Sequence, residues 1–232
     1  MVQQNTAIVT GGNRGIGFQI VARLCDHGIT TLFTSRNPHD GYTALARLKQ
    51  PGRSLDYHPL DVSESTSVEA FASYVKAKYP KIDILINSAG TNYDTWHNAA
   101  NVNIIEAEYT MSVNFMGPWR MCIALLPCME RGGRIINVSS GAGTIASQDG
   151  TTPAYSLSKN GLNMLTRHLA ASLADRGITV NAADPGWVRT DMGGPDAPRS
   201  PGEGAATIVW LATREDNSTS GCFYRDKKQI SW

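Results

Sequence analysis

The feature that most limits the fold is an alternation of short apolar runs with amphipathic stretches, opened by a glycine-rich turn. Ala7-Ile8-Val9 has strand character, Thr10-Gly11-Gly12-Asn13-Arg14-Gly15-Ile16-Gly17 follows, and Phe18, Ile20, Val21 and Leu24 then recur at helical spacing. Strand, glycine turn, helix is the context in which such glycines carry meaning. Without side chains the backbone can approach a pyrophosphate, whose charge suits the N–H groups and dipole at a helix start. The spacing Gly-x-x-x-Gly-x-Gly departs from the common dinucleotide fingerprint, so the placement of the turn carries the reading more than its pattern. A tight strand–helix turn without a ligand is the alternative.

The alternation continues along the chain. Strands are expected at Thr30 to Arg36, Leu55 to Leu60, Ile82 to Ile86, Arg134 to Val138, Ile178 to Ala183 and Gly221 to Tyr224. Helices are expected at Tyr42 to Lys49, Val68 to Lys78, Ile104 to Met129, from Pro153 through Leu173, and after the capping-box pattern Ser200-Pro201-Gly202-Glu203. Strands separated by helices imply right-handed crossovers and a sheet buried on both faces. The fold class is therefore α/β, a Rossmann-type doubly wound parallel sheet of about seven strands. No repeat, low-complexity segment or linker interrupts residues 1–232, which read as one dinucleotide-binding and catalytic domain.

Several functions are disfavoured by what is missing. A formal charge of +1 offers no electrostatic case for nucleic acid or an anionic membrane surface. No apolar run approaches the roughly 18 residues of a spanning helix, and the polar Met1 to Thr6 does not read as a secretory signal. Cys25, Cys122, Cys128 and Cys222 form no close pairs and suit reduced thiols in a cytoplasmic protein. The five histidines lack metal-ligand spacing, so no metal is expected.

Two arginines bear on the nucleotide. About 20 residues beyond the glycines, an NAD site places an acidic residue on the ribose hydroxyls. This chain carries Arg36 there, with Arg14 inside the turn. Two guanidiniums suit a 2′-phosphate through charge-assisted contacts, which favours NADP(H) over NAD; solvated surface arginines are the alternative. Asp61, followed by Val62 at a strand end, could accept from an adenine amine or simply cap its loop. Small residues in Asn87-Ser88-Ala89-Gly90 would let a ring lie against the fourth strand.

The chemistry centres on Tyr155 and Lys159, which share one face of a helix at i and i+4. An ammonium beside a phenol favours the phenolate and so makes Tyr155 a candidate acid and base. Pro118 should bend the long helix and release the carbonyl of Asn114, a place to hold a water. An ordinary kink is the alternative.

Taken together, Thr10-Gly11 to Gly17, Asp61-Val62, Asn87 to Gly90, Asn114, Ser140, Tyr155 with Lys159, and Pro185-Gly186 to Thr190 resemble the short-chain dehydrogenases/reductases over the whole chain. The arginines and the ending Phe223 to Trp232 look most like the carbonyl-reductase branch. The resemblance implies a tetrad. Tyr155 gives a proton to a carbonyl oxygen, Ser140 hydrogen-bonds that oxygen, Lys159 lowers the tyrosine pKa and holds the nicotinamide ribose, and Asn114 positions a relay water. Ser140 is preferred to Ser139 because the family's serine is the second of such a pair. The resemblance also assigns cofactor contacts to Gly11, Asn13, Arg14, Gly15, Ile16, Gly17, Arg36, Asp61, Val62, Asn87, Ala89, Gly90, Pro185, Gly186, Val188 and Thr190, with Val188 and Thr190 on the carboxamide. It implies NADPH-dependent reduction of a small-molecule ketone or aldehyde. An NADP-dependent alcohol dehydrogenase running oxidatively, or a non-catalytic NADP(H)-binding regulator, are the alternatives.

Three departures stand out. Ser88 replaces the family's second asparagine, the Ser140–Tyr155 loop is slightly longer than usual, and it lacks the large insertion of monomeric carbonyl reductases. The last point favours a homodimer or homotetramer through the helices holding Ile104 and Tyr155. Tyr93, Trp96, Gln148, Asp149, Trp187 and Met192 are the candidate substrate wall, suited to a bulky, largely apolar carbonyl compound; aromatics that only pack their loops are the alternative.

Overall fold

The computed structural model describes residues 5–92, 94 and 96–232. Strand β1 (Thr6–Val9) runs into α1 (Gly15–Asp26), then β2 (Thr30–Ser35), α2 (Pro38–Leu48), β3 (Leu55–Pro59), α3 (Ser65–Lys78) and β4 (Ile82–Asn87). Helices α4 (Ile104–Met111) and α5 (Gly117–Leu125) precede β5 (Met129–Val138), α6 (Pro153–Ser172), β6 (Thr179–Ala183), α7 (Pro201–Thr213), β7 (Phe223–Arg225) and β8 (Lys228–Ile230).

The strands form one sheet in the order β3-β2-β1-β4-β5-β6-β7-β8. All neighbours are parallel except β7 and β8. The period of two along each strand divides the core between the faces. Ile8, Leu32, Leu85, Ile135 and Val180 point toward Val68 and Phe71 of α3, Leu125 of α5 and Leu162 of α6. Val9, Phe33, Ile86 and Ile136 point toward Ile20 and Leu24 of α1 and Ile208 of α7. The chain leaves β1 in one direction toward β3 and returns on its other side at β4. That reversal opens a crevice at the carboxyl ends of β1 and β4, where doubly wound sheets bind ligands.

Three expectations change. The eighth strand, β8, was not expected, because it is only three residues long and follows a turn without glycine: Asp226 and Lys227 both take positive φ, 52° and 61°. The expected helix from Ile104 to Met129 is interrupted by a π turn at Ser112–Met116 and gives way at Met129 to β5. Pro118 sits in the first turn of α5, where a missing N–H costs nothing, and the π turn absorbs the break in register. Strand β5 starts earlier than its apolar run because it carries a bulge beside β4: Ile82 pairs Met129, but Ile84 pairs Arg134.

Candidate active site

Above the switch point lies a cleft of 820 Å³. The glycine turn forms one wall, and its glycines are required. A Cβ on Gly17 would lie 2.1 Å from the Gly11 carbonyl oxygen, and one on Gly11 would lie 2.8 Å from Ala89 Cα, at a φ of 68°. Thr10 fastens the turn to the end of β4, its Oγ1 accepting from the Ser88 and Ala89 N–H groups at 3.0 Å each. The N-terminus of α1 has no side-chain cap and no acidic residue in its first turn, so its N–H groups face the cleft free for an anion.

Of the residues singled out from the sequence, Gly11, Asn13, Arg14, Gly15, Ile16, Gly17, Arg36, Asp61, Val62, Ala89, Gly90, Tyr155, Lys159, Pro185 and Thr190 line this cleft. Asn87 and Val188 are buried below it. Asn87 donates to Asn137 Oδ1 at 2.8 Å, and Asn137 donates in turn to Thr166 on α6. Its Nδ2 thus ties β4 to β5 and the catalytic-candidate helix, while its Oδ1 has no partner among the described residues. Gly186, at a φ of 74°, packs against Arg199. Asp61 does cap its loop, accepting from Ser63 N and Oγ at 2.9 and 2.6 Å.

Sequence reading missed the rest of the nucleotide end. Arg47 of α2 adds positive charge beside Arg36, with His39 next to it, and Tyr109 of α4 lines the same end. Arg36 donates to the Tyr109 hydroxyl and Arg14 pairs with Asp191 on the loop after β6. Arg47 also stacks over Phe18, 4.9 Å from the ring centroid. The Asn37-Pro38 start of α2 was a readable sign for His39: Asn37 Oδ1 accepts from His39 N at 2.9 Å.

At the other end, Tyr155 and Lys159 do share one face of α6, with Lys159 Nζ 5.6 Å from the Tyr155 ring centroid. The Ser140 hydroxyl acts on the phenol, favouring its ionised form. Ser139 lines the cleft, but it is buried and its hydroxyl is committed to Asn163 Oδ1 at 2.5 Å; Ser140 lies just outside that lining, half-buried, its Oγ accepting from Ala142 N at 3.2 Å. Lys159 donates to the Val138 carbonyl at 2.8 Å. Asn114, fully buried in the π turn, donates to the Thr91 carbonyl at 2.8 Å and to Ser158 Oγ at 3.0 Å, and accepts from Thr91 N at 2.8 Å. Its side chain therefore pins the loop after β4, and any water would sit on its main-chain carbonyl.

The expected acidic phenol is corrected by burial. Desolvation pushes the Tyr155 phenol up to about 12, offset only in part by Ser140. It pulls the Lys159 ammonium down to about 8, against the carboxylate of Asp184. Tyr155 is only half-buried, and water in the open cleft tempers the upward shift without reversing it. The lysine donates to a backbone oxygen, so its charge does not win over the loss of solvent.

A carboxylate outside the expected set supports the helix. Thr152 has left-handed geometry and makes no side-chain cap at the start of α6. Asp94, 1% exposed, reaches in from the loop after β4 and accepts from Ala154 N and, at 3.4 Å, from Tyr155 N. It supplies the acceptor that the helix start lacks. Asp94→Ala is expected to lower stability by about 1 kcal/mol, which moves the melting midpoint by roughly 2–4 °C in a chain of this size. Thermal unfolding followed by circular dichroism checks this; an unchanged midpoint contradicts the capping role.

Around the substrate end, Trp187, Met192, Ile145 and Trp96 are exposed. Gln148 donates to the Ala142 and Thr144 carbonyls, and Asp149 accepts from Thr151, so both serve their own loop. Tyr93 lies outside the described residues.

A parallel sheet with a glycine turn at its switch point, and a serine, tyrosine and lysine gathered at the crevice, defines a dinucleotide-dependent oxidoreductase. The family model described as short chain dehydrogenase matches residues 5–200, and the chain belongs to that family. Within it, the chain is 34% identical to carbonyl reductase [NADPH] 1 of Mus musculus over an alignment of 272 residues, covering 97% of this chain and 98% of the relative. The corresponding Sus scrofa protein is 33% identical, at 97% and 93% coverage. An NADPH-bound carbonyl reductase from chicken fatty liver superposes with a TM-score of 0.87 at 28% identity over the full length of both chains. A dehydrogenase/reductase from Sinorhizobium meliloti 1021 gives 0.86 at 29% identity, covering 94% of this chain and 92% of that one.

Proposed function

We propose that the protein reduces a ketone or aldehyde to the alcohol with NADPH. The observation that carries this reading is the Tyr155 phenol beside Lys159, 5.6 Å from its ring centroid, in a cleft whose far end holds Arg14 and Arg36. The glycine cradle and the uncapped α1 N-terminus fit a pyrophosphate, and Arg36 with Arg14 fits a 2′-phosphate. The names of the carbonyl-reductase relatives support the same cofactor.

When bound, NADPH supplies the hydride; the chain supplies orientation and the proton. Ser140 Oγ and Tyr155 Oη together hold the substrate oxygen, and negative charge developing there is met by two donors. Tyr155, with its proton held firmly by burial, donates it to that oxygen. Lys159 lies within the same cleft to bind ribose hydroxyls and to return a proton to the phenol. Asn114 fixes the loop after β4 beneath it. The exposed Trp187 and Met192 favour a bulky apolar substrate.

The test is a panel of aromatic and aliphatic carbonyl compounds followed by NADPH absorbance. Turnover of none of them, with NADPH still bound, overturns the reading. The ammonium of Lys159 is lost as pH rises through about 8 in the free enzyme, so kcat/KM for reduction should fall across that pH. A profile from pH 6 to 10 checks it, and a flat profile to pH 10 contradicts the lysine's role.

We further propose that the protein works as a homodimer through α4, α5 and α6, whose outer faces expose Ile105, Ile123, Leu157 and Met164. Light scattering after gel filtration, read on the protein and on Ile123→Glu, tests this: a dimer that the variant dissociates is expected.

A further inference from the structure

Asp184 follows the end of β6 and is 2% exposed, yet the chemistry proposed above does not use it. Its Oδ2 accepts from Arg225 Nε at 2.8 Å and from Arg225 Nη2. Its Oδ1 accepts from Gly186 N at 2.8 Å, and its own N–H donates to the Tyr224 carbonyl at 2.8 Å. Arg225 comes from the last residue of β7, so the C-terminal hairpin reaches the crevice from the sheet's far side.

The pair lies directly against the active-site backbone. A Cβ on Gly141, the residue after Ser140, would stand 2.7 Å from Arg225 Nη2 and 3.1 Å from Asp184 Oδ2. Next to it, Asp226 in the hairpin turn forks onto Arg199 at 2.6 and 2.7 Å, and Arg199 reaches the Pro185 carbonyl at 3.4 Å. The hairpin thus holds Gly141 on one side and Asp184-Pro185-Gly186 on the other. An ion pair with one partner half open to solvent contributes little net stability, so stability alone does not account for placing one here.

We propose that the Asp184–Arg225 pair is a positioning device for the reduction, holding the backbone beside Ser140 and keeping a fixed negative charge behind Lys159. Lys159 Nζ rests on the Val138 carbonyl, Val138 pairs in register with Ala183, and Asp184 is the next residue. Its carboxylate therefore lies one position along from the lysine's anchor and favours the protonated forms of Lys159 and Tyr155. The other charged groups near them are Arg225 on β7, which faces Asp184, and Asp94 from the loop after β4, which faces the start of α6. The remaining polar neighbours, Ser140, Ser158, Asn114 and the Val138 carbonyl, are uncharged.

The experiment follows two pH profiles in wild type and variants: kcat/KM for carbonyl reduction, and NADPH affinity by fluorescence, which needs no carbonyl substrate. Asp184→Asn removes the negative charge, so the alkaline midpoint in both profiles should fall by roughly half a pH unit, less than a contact pair would give. Arg225→Met leaves the carboxylate uncompensated and should move both midpoints upward, while Arg225→Lys should leave them in place. Arg225 is half-exposed, so its variants test the idea even if Asp184→Asn fails to fold. Unmoved midpoints in folded Asp184→Asn and Arg225→Met, or shifts in the same direction, overturn it. The inference rests on the reductase reading for its kinetic arm only: absence of wild-type turnover would fail that reading, while the NADPH-affinity midpoints would still decide the role of the pair.

Discussion

Replacing Tyr155 by phenylalanine is expected to reduce turnover by about 10²–10⁴-fold, the range for losing a positioned proton donor, while NADPH affinity changes by less than about threefold. The ring packing is kept and only the hydroxyl is removed, so the loss falls on the proton and on one of the two donors facing the substrate oxygen. The cofactor cleft meets Tyr155 only at one end, since its opposite wall is the glycine turn and its far end the arginines. The readouts are kcat from NADPH absorbance and the dissociation constant from NADPH fluorescence. A variant that keeps more than about a tenth of the wild-type kcat would remove Tyr155 from the role of acid. Weakened NADPH binding to the same degree as kcat would instead make it a cofactor ligand.

Arg36→Asp is expected to invert cofactor choice. A charge-assisted hydrogen bond contributes about 1.5–3 kcal/mol, so its loss alone costs roughly 10–150-fold in kcat/KM for NADPH, and the new carboxylate adds repulsion of the 2′-phosphate. NADH lacks that phosphate, and an acidic residue at this position suits its ribose hydroxyls. Its kcat/KM should hold or rise. Arg36 donates to the Tyr109 hydroxyl across the nucleotide end of the cleft, and His39 and Arg47 stand near. Arg47 keeps some positive potential there, so a residual NADPH activity is expected. Steady-state kinetics with both cofactors decides it: equal losses for the two would mean that the arginine supports the cleft without selecting the phosphate.

The parts that sequence made legible are local ones. The glycine turn between Val9 and Phe18, the strands with a period of two, and the capping box at Ser200 and Glu203 all concern residues a few positions apart. Tyr155 and Lys159 were placed on one face by helical spacing alone. Where local signals conflicted, the reading slipped. Pro118 suggested a bent helix, but the π turn at Ser112–Met116 moved the proline into a helix start, where it is harmless. The short β8 had no apolar pattern, and its turn adopts left-handed geometry with Asp226 and Lys227 in place of glycine. Asn87 carries the family's motif, and its Nδ2 bonds Asn137 on the next strand, a long-range tie its neighbours in sequence do not encode.

By itself the sequence determined the doubly wound α/β order, the phosphate-ready turn and the helix face shared by phenol and ammonium, because each depends on spacing within a few residues. Only the tertiary structure decided how the site is charged and held. Burial raises the phenol and lowers the ammonium, Asp94 caps the helix from 60 residues away, and Asp184 meets Arg225 across two strands. Desolvation and long-range pairing are properties of the assembled interior, and an unfolded chain's residue order does not contain them.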